Sequence, residues 1–351
     1  MRAGRPGGDE EARPTLRDIA READVSTKTV SLALRADPSV SRQTAARVQE
    51  IAYRVGYVGR GQKRQVIGVI VPYIGHQVYA DLFGFVRREA YNCGFTALLA
   101  ESTGQPAVEK TLIEEFRWRG VDGIVIVAPR MAAEDVDRES RLRQPIVTIG
   151  MQSPLDADYV FARIEIDHEA GGRLATRHLI EHGHRRIAYL AGRAPSASDQ
   201  GRRAGYRATL TEAGLRPDER LIVEVARHGV QPWPDYEIGR EQCLELLGRK
   251  VAVDAVLAYS DAIAIGTLRA LREHGGPRVP DDLSLVGLDG LAIAQFTQPR
   301  LTSVGVPWYR VALAAIDALV DMMAGVAPFE GRRVRTFAPE LVPAESVGRR
   351  P

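Results

Sequence analysis

The sequence predicts a small all-α head followed by a large α/β body made of two doubly wound parallel sheets. Three observations carry this reading. Three short amphipathic segments with capping residues lie between Thr15 and Gly56. From Val66 onward, short β-branched runs alternate with helical stretches. Charge is divided unevenly: residues 1–64 hold 13 Lys/Arg against 8 Asp/Glu, and the remainder holds 34 against 37. At 351 residues the chain exceeds one ordinary core, because domains of about 100–150 residues are the common size. Its hydrophobic content of 45% and charged content of 26% are those of a globular protein.

Residues 1–14 are rich in Arg, Gly and Glu without an apolar stretch, which reads as a disordered tail and not as a secretory leader. Residues 15–58 form the head. Thr15 is an N-cap with Asp18 at the N3 position of a capping box, and Leu16, Ile19, Ala20 and Ala23 recur at helical spacing. Ser26 caps a second helix, Thr27 to Leu34, with Val30 and Leu34 on one face. Asp37 and Pro38 break the chain. Ser41 opens a third helix with Ala45, Val48, Ile51 and Ala52 on its inner side, and Gly56 stops it. The turn Asp24–Val25–Ser26 is tight, and the second helix offers Thr27, Lys28, Ser31 and Leu32 outward. That is the layout of a helix-turn-helix, whose second helix enters the major groove. A plain three-helix bundle with a polar exterior has the same pattern. The basic head on a mildly acidic body points to a polyanion partner at one end of the molecule.

Residues 59–65 form a short linker, in which two glycines disfavour a helix and Arg60, Lys63 and Arg64 are basic. The body spans 66–347. Strands are expected at Val66–Val71, Gly123–Val127, Ile146–Ile149, Arg186–Leu190, Ala255–Ala258 and Leu283–Leu288. Helices are expected at Ala80–Cys93, Val108–Arg119, His168–His182 and Arg202–Glu212. Alternation of this length suits two doubly wound lobes, with ligands beyond the carboxyl ends of the strands. The expected lobes are about 66–165 with 295–325, and about 166–294 with 326–347. The longest apolar runs fall far short of the ~18 residues of a membrane helix, so no membrane partner is expected.

Enzyme motifs are sparse. There is no G-x-G-x-x-G, phosphate loop or G-x-S-x-G. His178–Leu–Ile–Glu181–His182 spells the H-x-x-E-H of inverted zinc peptidases, with His184 nearby, but it also reads as a helix end before the strand at Arg186. No cofactor or metal is expected, and the protein is read as a non-enzyme. Cys93 and Cys243 form no motif, which fits a reducing cytoplasm.

The run from Thr15 to Ser31, TLRDIAREADVSTKTVS, closely resembles the head of the LacI/GalR family of bacterial transcription regulators. Val40–Val48 and Gly56–Tyr57 continue the match. The resemblance runs through the body to about Glu345. His178–Leu179, Gly183–Gly192, Arg202–Tyr206, Tyr259–Gly266, Asp282–Asp289 and Pro299–Val304 fit the family's pattern. The resemblance implies a two-lobed sensor like the periplasmic sugar-binding proteins, with an effector in the cleft. It implies that Thr27, Lys28 and Leu32 face bases. Thr15, Ser26, Thr29, Ser31 and Thr44 hold phosphates, Tyr57 lies near the DNA backbone, and Leu16 and Arg35 belong to the same surface. Leu32 and Arg35 depart from the family's common Arg and Asn, so the operator preference is expected to differ. The family's minor-groove Leu wedge has no counterpart in the linker, so the operator is expected to bend less.

For the cleft, the resemblance implies His76, Tyr79, Ser198, Arg202, Trp233, Ser260, Asp261, Asp289 and Trp308 as effector-binding residues. Charged groups beside aromatic planes suit a polyhydroxylated ring. Val127, Gly150, Ser260 and Val306 stand where polar contacts are common. A ligand with fewer hydroxyls than a simple hexose, or a phosphorylated or modified one, is therefore expected. The overall expectation is a cytoplasmic homodimeric repressor of a pseudo-palindromic operator, controlled by a sugar or sugar derivative. The alternatives are a nucleobase or other non-sugar effector, no effector at all, a transport-type sugar-binding protein, or a zinc hydrolase using His178, Glu181 and His182.

Overall fold

The computed structural model describes residues 15–34, 37, 40–54, 65–132, 135, 144–150, 162–192, 196–224, 235–331 and 334–350. The tail 1–14, nearly all of the linker, Arg35, Tyr57 and Trp233 lie outside the described residues. The chain divides into two compact units, one ending at Gln65 and the other beginning at Val66.

The first unit holds α1 (Leu16–Ala23), α2 (Thr27–Leu34) and α3 (Arg42–Arg54). The backbone N–H and the hydroxyl of Thr15 both donate to Asp18 Oδ2, at 2.9 and 2.7 Å. Those bonds hold the Asp18 carboxyl below its ordinary value. Asp24 closes α1 in the left-handed region at φ 51°, which turns the chain within three residues into α2. Ser26 and Ser41 cap α2 and α3 alike: each Oγ accepts the N–H of the residue three positions on, Thr29 at 3.0 Å and Thr44 at 3.1 Å. Ile19, Ala23, Val30, Ala33, Val48 and Ile51 close the small core.

The second unit contains two six-stranded sheets. The first uses β1 (Gln65–Val71), β2 (Phe95–Glu101), β3 (Gly123–Val127), β4 (Ile146–Ile149), β5 (Ala162–Ile166) and β11 (Val334–Phe337), in the order β11-β5-β4-β3-β1-β2. The second uses β6 (Ile187–Leu190), β7 (Ile222–Val223), β8 (Ala255–Ala258), β9 (Ser284–Asp289), β10 (Thr302–Gly305) and β12 (Glu340–Val342), in the order β12-β10-β9-β8-β6-β7. β12 runs antiparallel to β10, whereas β9 and β10 pair in parallel. Both faces of each sheet are covered. α4 (Gln77–Asn92) and α10 (Trp308–Met323) lie on one face of the first sheet and α5 (Pro106–Trp118) on the other. α6 (His168–Glu181) and α7 (Ala197–Glu212) cover one face of the second, and α8 (Asp235–Gly248) and α9 (Asp261–Glu273) the other. Fully buried β-branched runs such as Ile124–Ile126 are the sequence signature of strands covered on both sides.

The chain passes between the lobes three times: at Asp167, at Val306–Pro307 and at Ala338–Pro339. This corrects the expected lobe boundaries. Thr302–Gly305 belongs to the second sheet, in register with Val286–Asp289. Val334–Phe337 belongs to the first, in register with Arg163–Ile166. Short polar strands such as Thr-Ser-Val-Gly take their place from backbone pairing, which an apolar pattern does not report.

Two helix pairs of the second lobe meet backbone to backbone. A Cβ on Gly172 of α6 would lie 2.1 Å from the Arg202 carbonyl oxygen, and one on Gly205 of α7 would lie 2.2 Å from that of Glu169. The same arrangement joins α8 and α9: a Cβ on Gly239 would meet Ile263 O at 2.1 Å, and one on Gly266 would meet Tyr236 O at 1.9 Å.

Candidate functional site

A cleft of about 1110 Å³ opens between the two lobes. Its walls are chain segments just past the carboxyl ends of strands, as in other open α/β sheets: Tyr73 after β1, Ala128 after β3, Gly150 after β4, Tyr259 after β8 and Asp289 ending β9.

A buried ion pair forms its floor. Arg202 Nη2 donates to Asp289 Oδ1 at 2.8 Å, and the two side chains are 6% and 5% exposed. Arg202 also donates through Nη1 to the Tyr259 carbonyl, and its guanidinium lies 4.7 Å from the Tyr259 ring centroid. Burial lowers Arg202, but the charge of Asp289 more than reverses this, so the guanidinium stays charged. Burial pushes the Asp289 carboxyl up, against the pull of Arg202 and His76. Trp308 Nε1 donates to the Asp289 carbonyl at 3.1 Å, so a first-lobe helix touches a second-lobe strand end. Ser198 Oγ pairs with the Tyr259 hydroxyl at 2.8 Å. His168, at the start of α6, is buried beside Arg202. Burial, with the Arg202 charge added, pushes its imidazole down to about 3, so it faces the cleft neutral.

A second polar tier crosses the cleft. His76 Nε2 lies 3.2 Å from Asp235 Oδ2, joining the start of α4 to the start of α8. Burial lowers His76, but the hydrogen bond and charge of Asp235 outweigh it and hold the imidazole above its ordinary value. The Tyr79 ring lies tilted, 4.8 Å from the His76 ring, and burial raises its phenol. A folded value above the unfolded one means this bridge contributes stability that is present below the ordinary histidine value and lost as pH rises through the folded value. The deficit in Tm caused by His76→Gln should therefore be larger at pH 6 than at pH 8. Equal deficits at both pH values would show that the bridge carries no such linkage.

Of the effector-binding residues expected from the sequence, His76, Tyr79, Ser198, Arg202, Asp289 and Trp308 line this one cleft. Ser260 and Asp261 do not, which corrects their expected direct contact. Ser260 is fully buried and its Oγ accepts the Ile263 N–H to cap α9. Asp261 is fully buried beneath the turn that follows Asp289. Tyr73, Arg130, His168, Asp235, Tyr236 and Tyr259 line the cleft without having been singled out. The strand-end rule points to Tyr73 and Tyr259. Nothing local in the sequence marks Asp235 or His168. The histidine motif folds into helix-end contacts: His182 Nδ1 meets the His178 carbonyl at 2.8 Å, and His184 Nε2 meets the Gly348 carbonyl at 3.0 Å. Among the described residues, no three His, Cys, Asp or Glu side chains are grouped to hold a metal ion.

In the head, Ser26, Thr27 and Lys28 are exposed at the start of α2, and Ser31 and Leu32, one turn on, are half-buried. Leu16, Thr29 and Thr44 are half-buried, and Thr15 is exposed at the α1 cap.

Residues 15–59 match the model of bacterial regulatory proteins of the lacI family, and residues 176–347 match that of the periplasmic binding protein-like domain. The HTH-type transcriptional repressor CytR of Escherichia coli (strain K12) is 31% identical over 332 residues, which is 93% of this chain and 94% of that protein. The chain belongs to the LacI family. The HTH-type transcriptional repressor PurR of Vibrio atlanticus (strain LGP32) is 30% identical to this LacI-family chain, over 95% of it and 98% of the relative. Among solved structures, the transcriptional regulator CelR–cellobiose complex is 29% identical with a TM-score of 0.68, covering 95% of the chain and all of that structure. The lac repressor dimer bound to operator and an anti-inducer has a TM-score of 0.75 at 23% identity, covering 95% of this chain and 99% of that one, and shares the fold. Head, two lobes and cleft are thus those of a LacI-family transcription regulator.

Proposed function

We propose that this LacI-family protein is a homodimeric cytoplasmic repressor that binds a pseudo-palindromic operator and responds to a sugar-like effector held in the cleft. The observation that carries the effector reading is the buried Arg202–Asp289 pair facing the cleft beside Trp308. Buried charges of this kind persist when they are paired and hydrogen-bonded, and hydroxyls can be received by a carboxylate while an apolar ring face packs on an indole. The similarity to a cellobiose-bound regulator supports the same class. Val127 and Gly150 on the wall offer no side-chain hydrogen bond, so the ligand is expected to present an apolar edge there. Closure need favour one lobe arrangement by only ~1–3 kcal/mol to couple cleft and operator. A thermal-shift screen of cellobiose, other sugars, polyols and nucleobases tests this reading. If none raises Tm, the chain is a repressor without small-molecule control.

For the DNA side, Thr27, Lys28 and Leu32 read bases, Thr15, Ser26, Thr29, Ser31 and Thr44 hold phosphates, and Leu16, Arg35 and Tyr57 also contact DNA. Lys28→Ala should cost roughly 1–3 kcal/mol on operator and relax the preference at one position per half-site. Ser26→Ala should weaken all sequences more evenly. Equal losses on operator and random DNA for Lys28→Ala, measured by electrophoretic titration, would remove Lys28 from base reading.

A further inference from the structure

We infer that Asp261, which never touches the cleft, is the positioning residue that fixes the Asp289 carboxylate and carbonyl for effector binding; this rests on the effector reading of the cleft. Asp289 is a non-glycine residue at φ 134°, and Gly290 follows at φ 71°. An L residue at such an angle is strained and stays there only when its surroundings over-determine it. On the side away from the cleft those surroundings trace to one carboxylate. Asp261 Oδ2 accepts the Leu291 N–H at 2.7 Å, and Asp261 Oδ1 accepts the Ser303 hydroxyl at 2.6 Å. Ser303 Oγ in turn accepts the Gly290 N–H at 3.1 Å. Both amides that follow Asp289 are thus held, one directly and one through Ser303, by a side chain that is 0% exposed. Room for it is built in: a Cβ on Gly287 would lie 2.2 Å from Asp261 Oδ1.

The other side of the same turn carries the functional contacts. The Asp289 side chain meets Arg202 and its carbonyl accepts from Trp308. Asp261 therefore acts through the turn on the ion pair and on the contact between the lobes together.

The network also fixes which charge state of Asp261 does this. Leu291 N–H can only donate, and the Ser303 hydroxyl, already accepting from Gly290, has its proton to give. Both point at a carboxylate, so the ionised form satisfies them best, while a protonated one accepts more weakly and brings a donor of its own to a site that supplies donors. Burial, with the charge of Asp289 on β9 added, raises the Asp261 carboxyl to about 7 against the pull of Ser303, Leu291 and Arg202 on α7. Tyr236 of α8 also faces it. The turn is thus held when Asp261 is charged and loosens as pH falls through about 7.

The test uses the full chain carrying Trp118→Phe and Trp233→Phe, which leaves Trp308 as the reporter, and His76→Gln, which removes the cleft imidazole that Asp235 holds above its ordinary value. Trp308 emission should change between pH 8 and pH 6 with a midpoint near 7. Asp261→Asn should abolish the transition and show a displaced emission already at pH 8, with far-UV dichroism unchanged. Ser303→Ala should displace the emission in the same direction, and it decides the matter if Asp261→Asn does not fold. Asp261→Asn or Ser303→Ala emission superimposable on the parent at both pH values would overturn the proposal. Cellobiose titration is the second arm, on the chain without the tryptophan and His76 substitutions: affinity at pH 8 should fall about tenfold in Asp261→Asn, the scale of leaving a buried donor unpaired. If cellobiose fails to bind the parent, the sugar reading of the cleft fails on its own, and the emission arm still decides the role of Asp261.

Discussion

Arg202→Ala is expected to abolish the effector response while leaving operator binding without effector in place. The guanidinium is the only charged donor that the described hydrogen bonds give to Asp289, whose side chain is 5% exposed. Removing it leaves a buried carboxylate unpaired, a loss of about 3–5 kcal/mol in folding stability or a neutralised Asp289. In either case the carboxylate that would receive ligand hydroxyls is gone or displaced. Arg202→Lys should not rescue, because one ammonium cannot reproduce the fork that reaches both Asp289 and the Tyr259 carbonyl. Thermal-shift hits titrated calorimetrically against both variants give the readout. Unchanged affinity in Arg202→Ala would take the ion pair out of the site.

Gly266→Ala should destabilise the second lobe by about 3 kcal/mol or more, the upper range of overpacking. The added Cβ would lie 1.9 Å from the Tyr236 carbonyl oxygen and 3.0 Å from the Arg240 nitrogen. Those are backbone atoms in the middle of a helix crossing and cannot swing aside. Gly248→Ala is the control: it ends α8, and a Cβ there meets nothing within 4 Å. That change should be neutral or stabilise by ~0.5–1 kcal/mol through helix propensity. Urea unfolding of both variants reads the contrast, and similar midpoints would mean that the crossing yields more easily than its geometry implies.

The helical head was legible because caps are local: Thr15, Ser26 and Ser41 each announce a helix through a bond closed within four residues. The apolar strands were legible because two-sided burial leaves nothing polar in Ile124–Ile126 or Val256–Leu257. β2 was not. Its Thr96–Glu101 run, mostly exposed at a sheet edge, has no alternation to betray a strand. β10 and β11 were misassigned between lobes because sheet membership is a long-range fact, written in registers such as Val304 with Leu288. In the cleft, Arg202 and Asp289 were singled out by resemblance to the family, and the fold brings them together although they are 87 residues apart in sequence. Asp261 was placed on the wrong side of that wall because a one-residue step along a helix start rotates a side chain by about 100°. The residue stands at the right height and points inward.

The glycine-pinned helix pairs bear on how a binding event leaves the cleft. A helix crossing cushioned by flexible side chains absorbs an ångström of displacement by changing rotamers. Crossings in which Gly172 faces the Arg202 carbonyl and Gly266 faces the Tyr236 carbonyl have no such slack. A pull on Arg202 is delivered to α6 as well as α7, and a pull on Asp235 to α9 as well as α8. The second lobe is then expected to move as a stiff lever, bending where the chain passes between the sheets, at Asp167, Val306–Pro307 and Ala338–Pro339. Substitutions that stiffen or loosen those three strands of backbone should alter the gain of the response without touching what the cleft recognises.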